Sequence, residues 1–333
     1  MIQLAMLLAL GSVDAGVSDG GVAATWKLST KLGPGQPLRQ ELISEMTKSG
    51  GGVGEGALTK AEAEALLDDP RAQMVYGDKT ISIVAPSMVT RHRQEHIDLM
   101  KRFLLPERVD AGRAFMKEKD TVLSATEKRT GVDREVIIGI LMWESKLGTI
   151  TGDYFAFNAL ASQAFFIDEA NEVALASAEE KALLSGGAPK KGKKKPTEEE
   201  LLKIAAAKEE AEKKQRARVE SIRGRGHKNL LALVRQCKAR GIDPLAVKGS
   251  WAGALGFPQF MPASLRWAED GNGDGKIDLF EMDDAIASVG KYLSSAGFKK
   301  SARDAVYDYN HEAAYVDGVL AFADALKAPK DGG

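Results

Sequence analysis

Cysteine is almost missing from this chain. Cys237 is the only one in 333 residues, which excludes an internal disulfide and leaves none for lipid attachment near the amino terminus. Within the helical stretch LLALVRQCKARG it reads as a small packing residue. An excess of one charge is missing too: 46 basic residues meet 47 acidic ones, so no global field argues for nucleic acid as a partner. No apolar run reaches the length of a transmembrane helix, no internal repeat is present, and no motif calls for an organic cofactor. What is there suits a globular enzyme of one large or two modest domains, 44% hydrophobic and 28% charged, long enough to bury a substantial core.

The amino terminus reads MIQLAMLLALGSVDAG. Its short apolar run before Val13-Asp14-Ala15 suits a signal peptide over residues 1–15, although the usual basic start is absent. Export to the periplasm or cell envelope is the expectation, with a buried amino-terminal helix as the alternative. An N-terminal helical region is expected over 16–95. There a Gly/Pro/Ser-rich stretch from Leu32 to Gly56 separates helical patterns, TKAEAEALLDD opens on a helix-cap signature at Thr59, and KTISIVAP reads as a short strand. Pro106 should open one helix and Gly131 close another. From 177 to 226 the composition changes to a Lys/Glu-rich insertion. It comprises a basic loop, GGAPKKGKKKP, and a long charged helix with a thin apolar stripe. The lysines between Lys190 and Lys195 read as a solvated loop, or as a contact for anionic polymer, lipid headgroups or envelope proteins.

The most informative residue is Glu144. In GVDREVIIGILMWESKLG, Ile137, Ile140, Leu141, Glu144 and Leu147 fall at spacings of three and four, which is one helix face. A carboxylate therefore points inward among apolar side chains, where burial raises its pKa and makes a general acid. The competing reading is a solvated glutamate paired with Lys146 or Lys128. Gly148 is expected to end the helix, placing the carboxyl at the mouth of an element.

A second dense block runs from Lys248 to Glu281. Gly249, Gly253 and Gly256 allow sharp turns. Gln259, set between Pro258 and Phe260, reads equally as a structural amide or as a sugar ligand. The twelve residues DGNGDGKIDLFE follow, with Asp270, Asn272 and Asp274 at positions one, three and five, Gly275 at six, Asp278 at nine and Glu281 at twelve. These hard oxygen donors, with the Lys276 carbonyl at seven, suit one structural Ca2+ in an EF-hand-like loop. Paired loops are needed for cooperative sensing, and no second one is present.

Three blocks in this order resemble the periplasmic lytic murein transglycosylases of the B type. They are GVDREVIIGILMWESKLG with NALAS, KGSWAGALGFPQFMPASLRWAEDGNGDGKIDLFEMDDAIASVGKYLSSAGF, and YNHEAAYVDGVLAFADAL. The resemblance implies a mainly α, goose-type lysozyme-like core, here over 96–176 and 227–328. It implies cleavage of the bond between N-acetylmuramic acid and N-acetylglucosamine in peptidoglycan. Glu144 would act as the single acid and then base, leaving a 1,6-anhydro end. Other glycosidases need a second carboxylate; Asp153, beyond a turn, is the nearest candidate, and no equally convincing partner is present.

Position by position, the resemblance implies that Ser250 and Gln259 line the glycan groove and that Tyr309 and Asn310 face Glu144. Phe260 and Tyr309 carry rings able to stack on sugars, with core packing as the alternative for Tyr309. It also makes Asp284 a rival or supplement to Glu281 at the metal. The family's groove tyrosine has a leucine, Leu99, near its position. Its paired arginines have no clear match among Arg216, Arg218, Arg223 and Arg225, and the segment between Phe298 and Tyr307 is short. A monomer acting on peptidoglycan strands is expected. A water-admitting muramidase and a non-catalytic, calcium-stapled glycan-binding protein are the alternatives.

Overall fold

The computed structural model describes residues 27–48, 56–74, 98, 100–185 and 197–329. The first fifteen residues, KTISIVAP, Leu99 and Lys190 to Lys195 lie outside them. The described chain is mainly helical, as expected, with a single two-stranded ribbon. Among the described residues no helix is long and apolar enough to cross a membrane.

Three short helices come first: α1 (Leu28–Leu32), α2 (Pro37–Met46) and α3 (Lys60–Asp68). Helix α2 lies inside the stretch expected to be a separator, because Pro37 at the first helical position opens it. Thr59 caps α3 as its sequence implies. Its hydroxyl accepts from the Glu62 N–H, and the Glu62 carboxylate accepts from the Thr59 N–H. Buried Arg39 ties the three together by donating to the Leu32 carbonyl and to Asp68.

The central helices are α4 (Pro106–Glu118), α5 (Asp120–Thr130) and α6 (Arg134–Ser145). Pro106 begins α4, and Gly131 ends α5 with φ of 70°, both as expected. From Val136 to Ser145 every residue of α6 is buried, so this helix is a central strut with no solvent face. After it, β1 (Tyr154–Phe155) pairs antiparallel with β2 (Lys248–Gly249), Tyr154 opposite Gly249. Between them run α7 (Ala156–Phe165), α8 (Ile167–Ser185) and α9 (Glu198–Arg240).

Helix α9 is continuous over 43 residues, about 64 Å at 1.5 Å per residue. The insertion boundary placed at 226 therefore falls inside an unbroken helix. Its amino-terminal part is exposed, whereas Leu230, Leu233, Val234 and Cys237 are buried against α7 and the N-terminal helices. Burial pushes the Cys237 thiol up to about 12, consistent with an inert packing role.

A 3-10 turn, Pro262–Trp267, leads to the loop 270–281 and then to α10 (Met282–Ser295), α11 (Ala302–Tyr309) and α12 (Ala313–Lys327). Two cores result. One gathers α6 with α4, α5, α10 and α12; the other gathers α1 to α3, α7, the inner half of α9 and the 255–279 segment. Tyr292 and Tyr309 pack against both.

Helices α6 and α12 approach closely because α12 carries Gly318 opposite Trp143. A Cβ at Gly318 would meet the Trp143 ring at 2.8 Å. Gly318→Val should therefore overpack the crossing and lower unfolding free energy by about 1–3 kcal/mol, read by chemical denaturation. An unchanged midpoint would refute this account of the α6–α12 contact.

Candidate active site

Glu144 occupies the last turn of α6 and is 6% exposed. Removal from water pushes its carboxyl up to about 8; the hydrogen bond from Tyr315 opposes that shift, because it favours the charged form. The Tyr315 hydroxyl donates to Glu144 Oε1 at 2.8 Å. Tyr315 is fully buried on α12, edge-on to Trp143 at 5.2 Å between centroids, and Trp143 packs on Phe103 at 4.1 Å. The phenol of the pair is thus held by rings packed in the core.

The helix does not run on to Gly148. It stops at Ser145, and Lys146 (φ 48°), Leu147 (φ 56°) and Gly148 (φ 85°) are all left-handed. Two of these are not glycine, at a cost of about 1–2 kcal/mol each. The Lys146 N–H bonds to the Met142 carbonyl, the Leu147 N–H to the Leu141 carbonyl, and the Gly148 N–H to Ser145 Oγ. These bonds hold the strained turn, which swings the chain away directly after Glu144.

The residues expected around the acid divide into two kinds. Tyr309 is part-buried, and its phenol is raised well above 10 by burial and then by the nearby Glu144 charge. Its hydroxyl donates to the Pro258 carbonyl at 2.5 Å. Tyr292 meets Tyr309 edge-on at 4.9 Å. Asn310, next in the chain, is 3% exposed and caps α11.

Ser250, Gln259 and Phe260 instead build the wall. Ser250 Oγ accepts from the N–H groups of Ala252 and Ala254. Gln259, itself at φ 51°, donates its amide to the Gly256 carbonyl at 2.8 Å. Leu255 and Phe260 exchange backbone hydrogen bonds across this turn. Phe260 is only 2% exposed and lies against Tyr292 and Tyr309, so its ring belongs to the core and presents no face for a sugar. That corrects the expectation drawn from the sequence. Gly256 is required here, since a Cβ would overlap Leu279 at 2.3 Å.

Tyr315 was not singled out in the sequence. Its signal was present in AAYVDGVLAFADAL, where Tyr315, Val319, Phe322 and Leu326 share a buried face and only one carries a hydroxyl. Asp153, the other carboxylate considered, is exposed. No carboxylate among the described residues contributes to the shift of Glu144. Arg223 pairs with Asp168 and Glu220, and Arg216 with Glu212.

The loop 270–281 is wound on its own side chains. Asp270 accepts from the Gly273 and Gly275 N–H groups, Asn272 from Asp274, Asp274 from Lys276, and Asp278 from Phe280. Asp284, 1% exposed, accepts from Gly271 through one oxygen and from Asp278 through the other. It thereby braces both ends of the loop from the first turn of α10. Glu281 is exposed and stands as the residue before α10. The oxygen-rich donor set fits a hard cation. Among the described residues, however, no three His, Cys, Asp or Glu side chains stand grouped to hold a metal, because the carboxylates are turned onto the loop backbone.

Comparisons with known proteins agree with this architecture. The chain is 28% identical over 207 residues to the membrane-bound lytic murein transglycosylase B of Escherichia coli. That match covers 62% of this chain and 43% of the relative, so the chain matches less than half the length of that protein. The Escherichia coli lytic transglycosylase Slt35 in complex with calcium superposes with a TM-score of 0.57 at 19% identity, over 87% of this chain and 93% of that one. The soluble lytic transglycosylase SltB1 of Pseudomonas aeruginosa gives 0.61 at 20% identity, over 87% and 98%. The lysozyme-like fold expected from the sequence is therefore shared with solved lytic transglycosylases. The Transglycosylase SLT domain matches residues 57–306, three quarters of the chain, and the protein belongs to that family.

Proposed function

We propose that this protein is a lytic transglycosylase that cuts peptidoglycan glycan strands between N-acetylmuramic acid and N-acetylglucosamine, with Glu144 as its only acid–base group. The observation that carries this reading is a single carboxyl at the end of a buried helix, removed from water, which pushes it up to about 8, and hydrogen-bonded by Tyr315. As an acid, Glu144 delivers its proton to the glycosidic oxygen. The Tyr315 hydroxyl then supports the carboxylate left behind. As a base, that carboxylate takes the proton of the muramic C6 hydroxyl, whose oxygen closes on C1 to give a 1,6-anhydro end. The reaction leaves Glu144 protonated for the next turnover, and no second carboxylate is needed to activate water.

Tyr309 and Asn310 face the reacting sugars, while Ser250 and Gln259 set the backbone of the wall. The family membership and the membrane-bound relative support action in the periplasm or cell envelope. Ca2+ fits the 270–281 loop through Asp270, Asn272, Asp274, the Lys276 carbonyl, Asp278 and Glu281, with Asp284 as brace. It would fix the entry to α10 and takes no part in the chemistry. The calcium complex of a structural neighbour supports that assignment.

Glu144→Gln should abolish release of fragments from purified sacculi, and mass spectrometry of the parent's products should find ends lighter by one water. Digestion by the variant at the parent rate would sink the acid–base assignment, and hydrated ends would make the enzyme a muramidase. The variant also reports on burial. Because the folded-state pKa, about 8, lies above the ordinary carboxyl value, the native state holds its proton more tightly. The parent then loses stability as pH rises through that range. Glutamine escapes this loss, so the variant should melt above the parent at alkaline pH and alongside it in acid.

Activity should fall as pH rises through about 8, as the acid loses its proton. Tyr315→Phe removes the bond that lowers the Glu144 pKa, so this alkaline limb should move to higher pH while the maximal rate drops. A limb that stays in place would separate Tyr315 from the acid.

Chelation should lower the melting temperature, since a cation bound only by the folded state stabilises it by mass action. Identical melting with and without chelator would remove calcium from this loop.

A further inference from the structure

The penultimate residue of the loop 270–281, Phe280, is an aromatic that neither acid–base chemistry nor metal binding uses. Phe280 is 37% exposed, although the residue before it is fixed: Leu279 is buried, and its carbonyl accepts from the Phe257 N–H at 2.8 Å. Its own N–H is held by Asp278. The Phe280 ring stands edge-to-face against Phe257, with centroids 6.1 Å apart and planes at 67°, a geometry that fixes ring orientation.

Phe257 in turn lies on the turn after the catalytic helix. A Cβ on Gly148 would come within 3.2 Å of its ring. One residue on, the Pro258 carbonyl receives the hydroxyl of Tyr309, whose titration responds to Glu144. The two rings thus join the end of the Glu144 helix to the exit of the 270–281 loop. A phenyl ring left this exposed yet propped in one orientation offers a flat apolar face about the size of one pyranose. It stands beside a site whose other groups are amides, hydroxyls and a carboxyl.

We propose that Phe280, held edge-on by Phe257, is a stacking platform for one sugar ring of the glycan strand. The proposal rests on the glycan-cleaving function and names a substrate contact beyond the acid. It also couples the loop to binding, because the turn at Asp278 sets the direction of Phe280.

The test compares Phe280→Ala, Phe280→Leu and Phe280→Tyr, assayed with soluble, uncrosslinked glycan chains. Stacking needs a ring, so Ala and Leu should both raise KM by roughly three- to tenfold with kcat little changed, while Tyr should retain the parent KM. Phe257→Ala should move KM in the same direction. If Leu matches the parent, Phe280 serves only as apolar packing and the platform is overturned; an unchanged KM in all variants overturns it equally. Direct binding of the same glycan chains by calorimetry separates this result from failure of the enzymatic reading. Should the parent leave sacculi intact, weaker binding by Ala and Leu still upholds the platform, and unaltered binding rejects it.

Discussion

Everything in the site depends on keeping one carboxyl out of water without stranding it. Burial pushes the Glu144 carboxyl up, and full exposure would leave it in the ordinary carboxylate range; the proposed acid–base role needs a value between these. The Tyr315 hydroxyl opposes the desolvation, so the carboxyl ends near 8 rather than further up. That balance requires Tyr315 itself to be immovable, and the fold supplies this through Trp143, Phe103 and the close α6–α12 crossing at Gly318. Buried Gly318 therefore helps to hold Tyr315 in place beside Glu144.

The seam between the two cores gives the site its shape. The α6 core contributes the acid and its phenol, while the other contributes the wall 249–260, knit by Ser250, Gln259 and the Leu255–Phe260 pairing. Tyr309 and Tyr292 belong to both cores, and the Tyr309 hydroxyl fastens α11 to the wall at Pro258. The left-handed turn 146–148 stores strain where α6 meets that wall, and a ladder of backbone bonds holds it.

Legibility in the sequence followed the range of the physics involved. Local signals were sound: the Thr59 capping box, Pro106 at a helix start, Gly131 at a helix end and Glu144 on an apolar face all reappear in the structure. The sequence points to Gly148 as the end of α6 because glycine is the usual left-handed residue, whereas hydrogen bonds back to Met142 and Leu141 hold Lys146 and Leu147 in that conformation as well. Phe260 is expected to stack on a sugar because it carries a ring beside Gln259, which the resemblance places on the glycan groove. Its burial follows from pairing with Leu255 and from Tyr292 and Tyr309, which come from distant segments. Tyr315 was hidden for the opposite reason, as a lone hydroxyl in an apolar helix pattern reads as packing until the helix opposite it is known.

The same reasoning bears on why one carboxylate suffices in the proposed reaction. An enzyme that activates water needs a base placed apart from its acid, with room between them. Here Tyr315 donates to Glu144, and among the described residues no carboxylate contributes to the shift of its pKa. The only other carboxylate considered from the sequence, Asp153, points to solvent. In the proposed reaction the substrate's own C6 hydroxyl is the nucleophile, and intramolecular attack carries the large advantage of proximity. On the proposed reaction, a site without a partner carboxylate favours ring closure over hydrolysis, because water is left without a base.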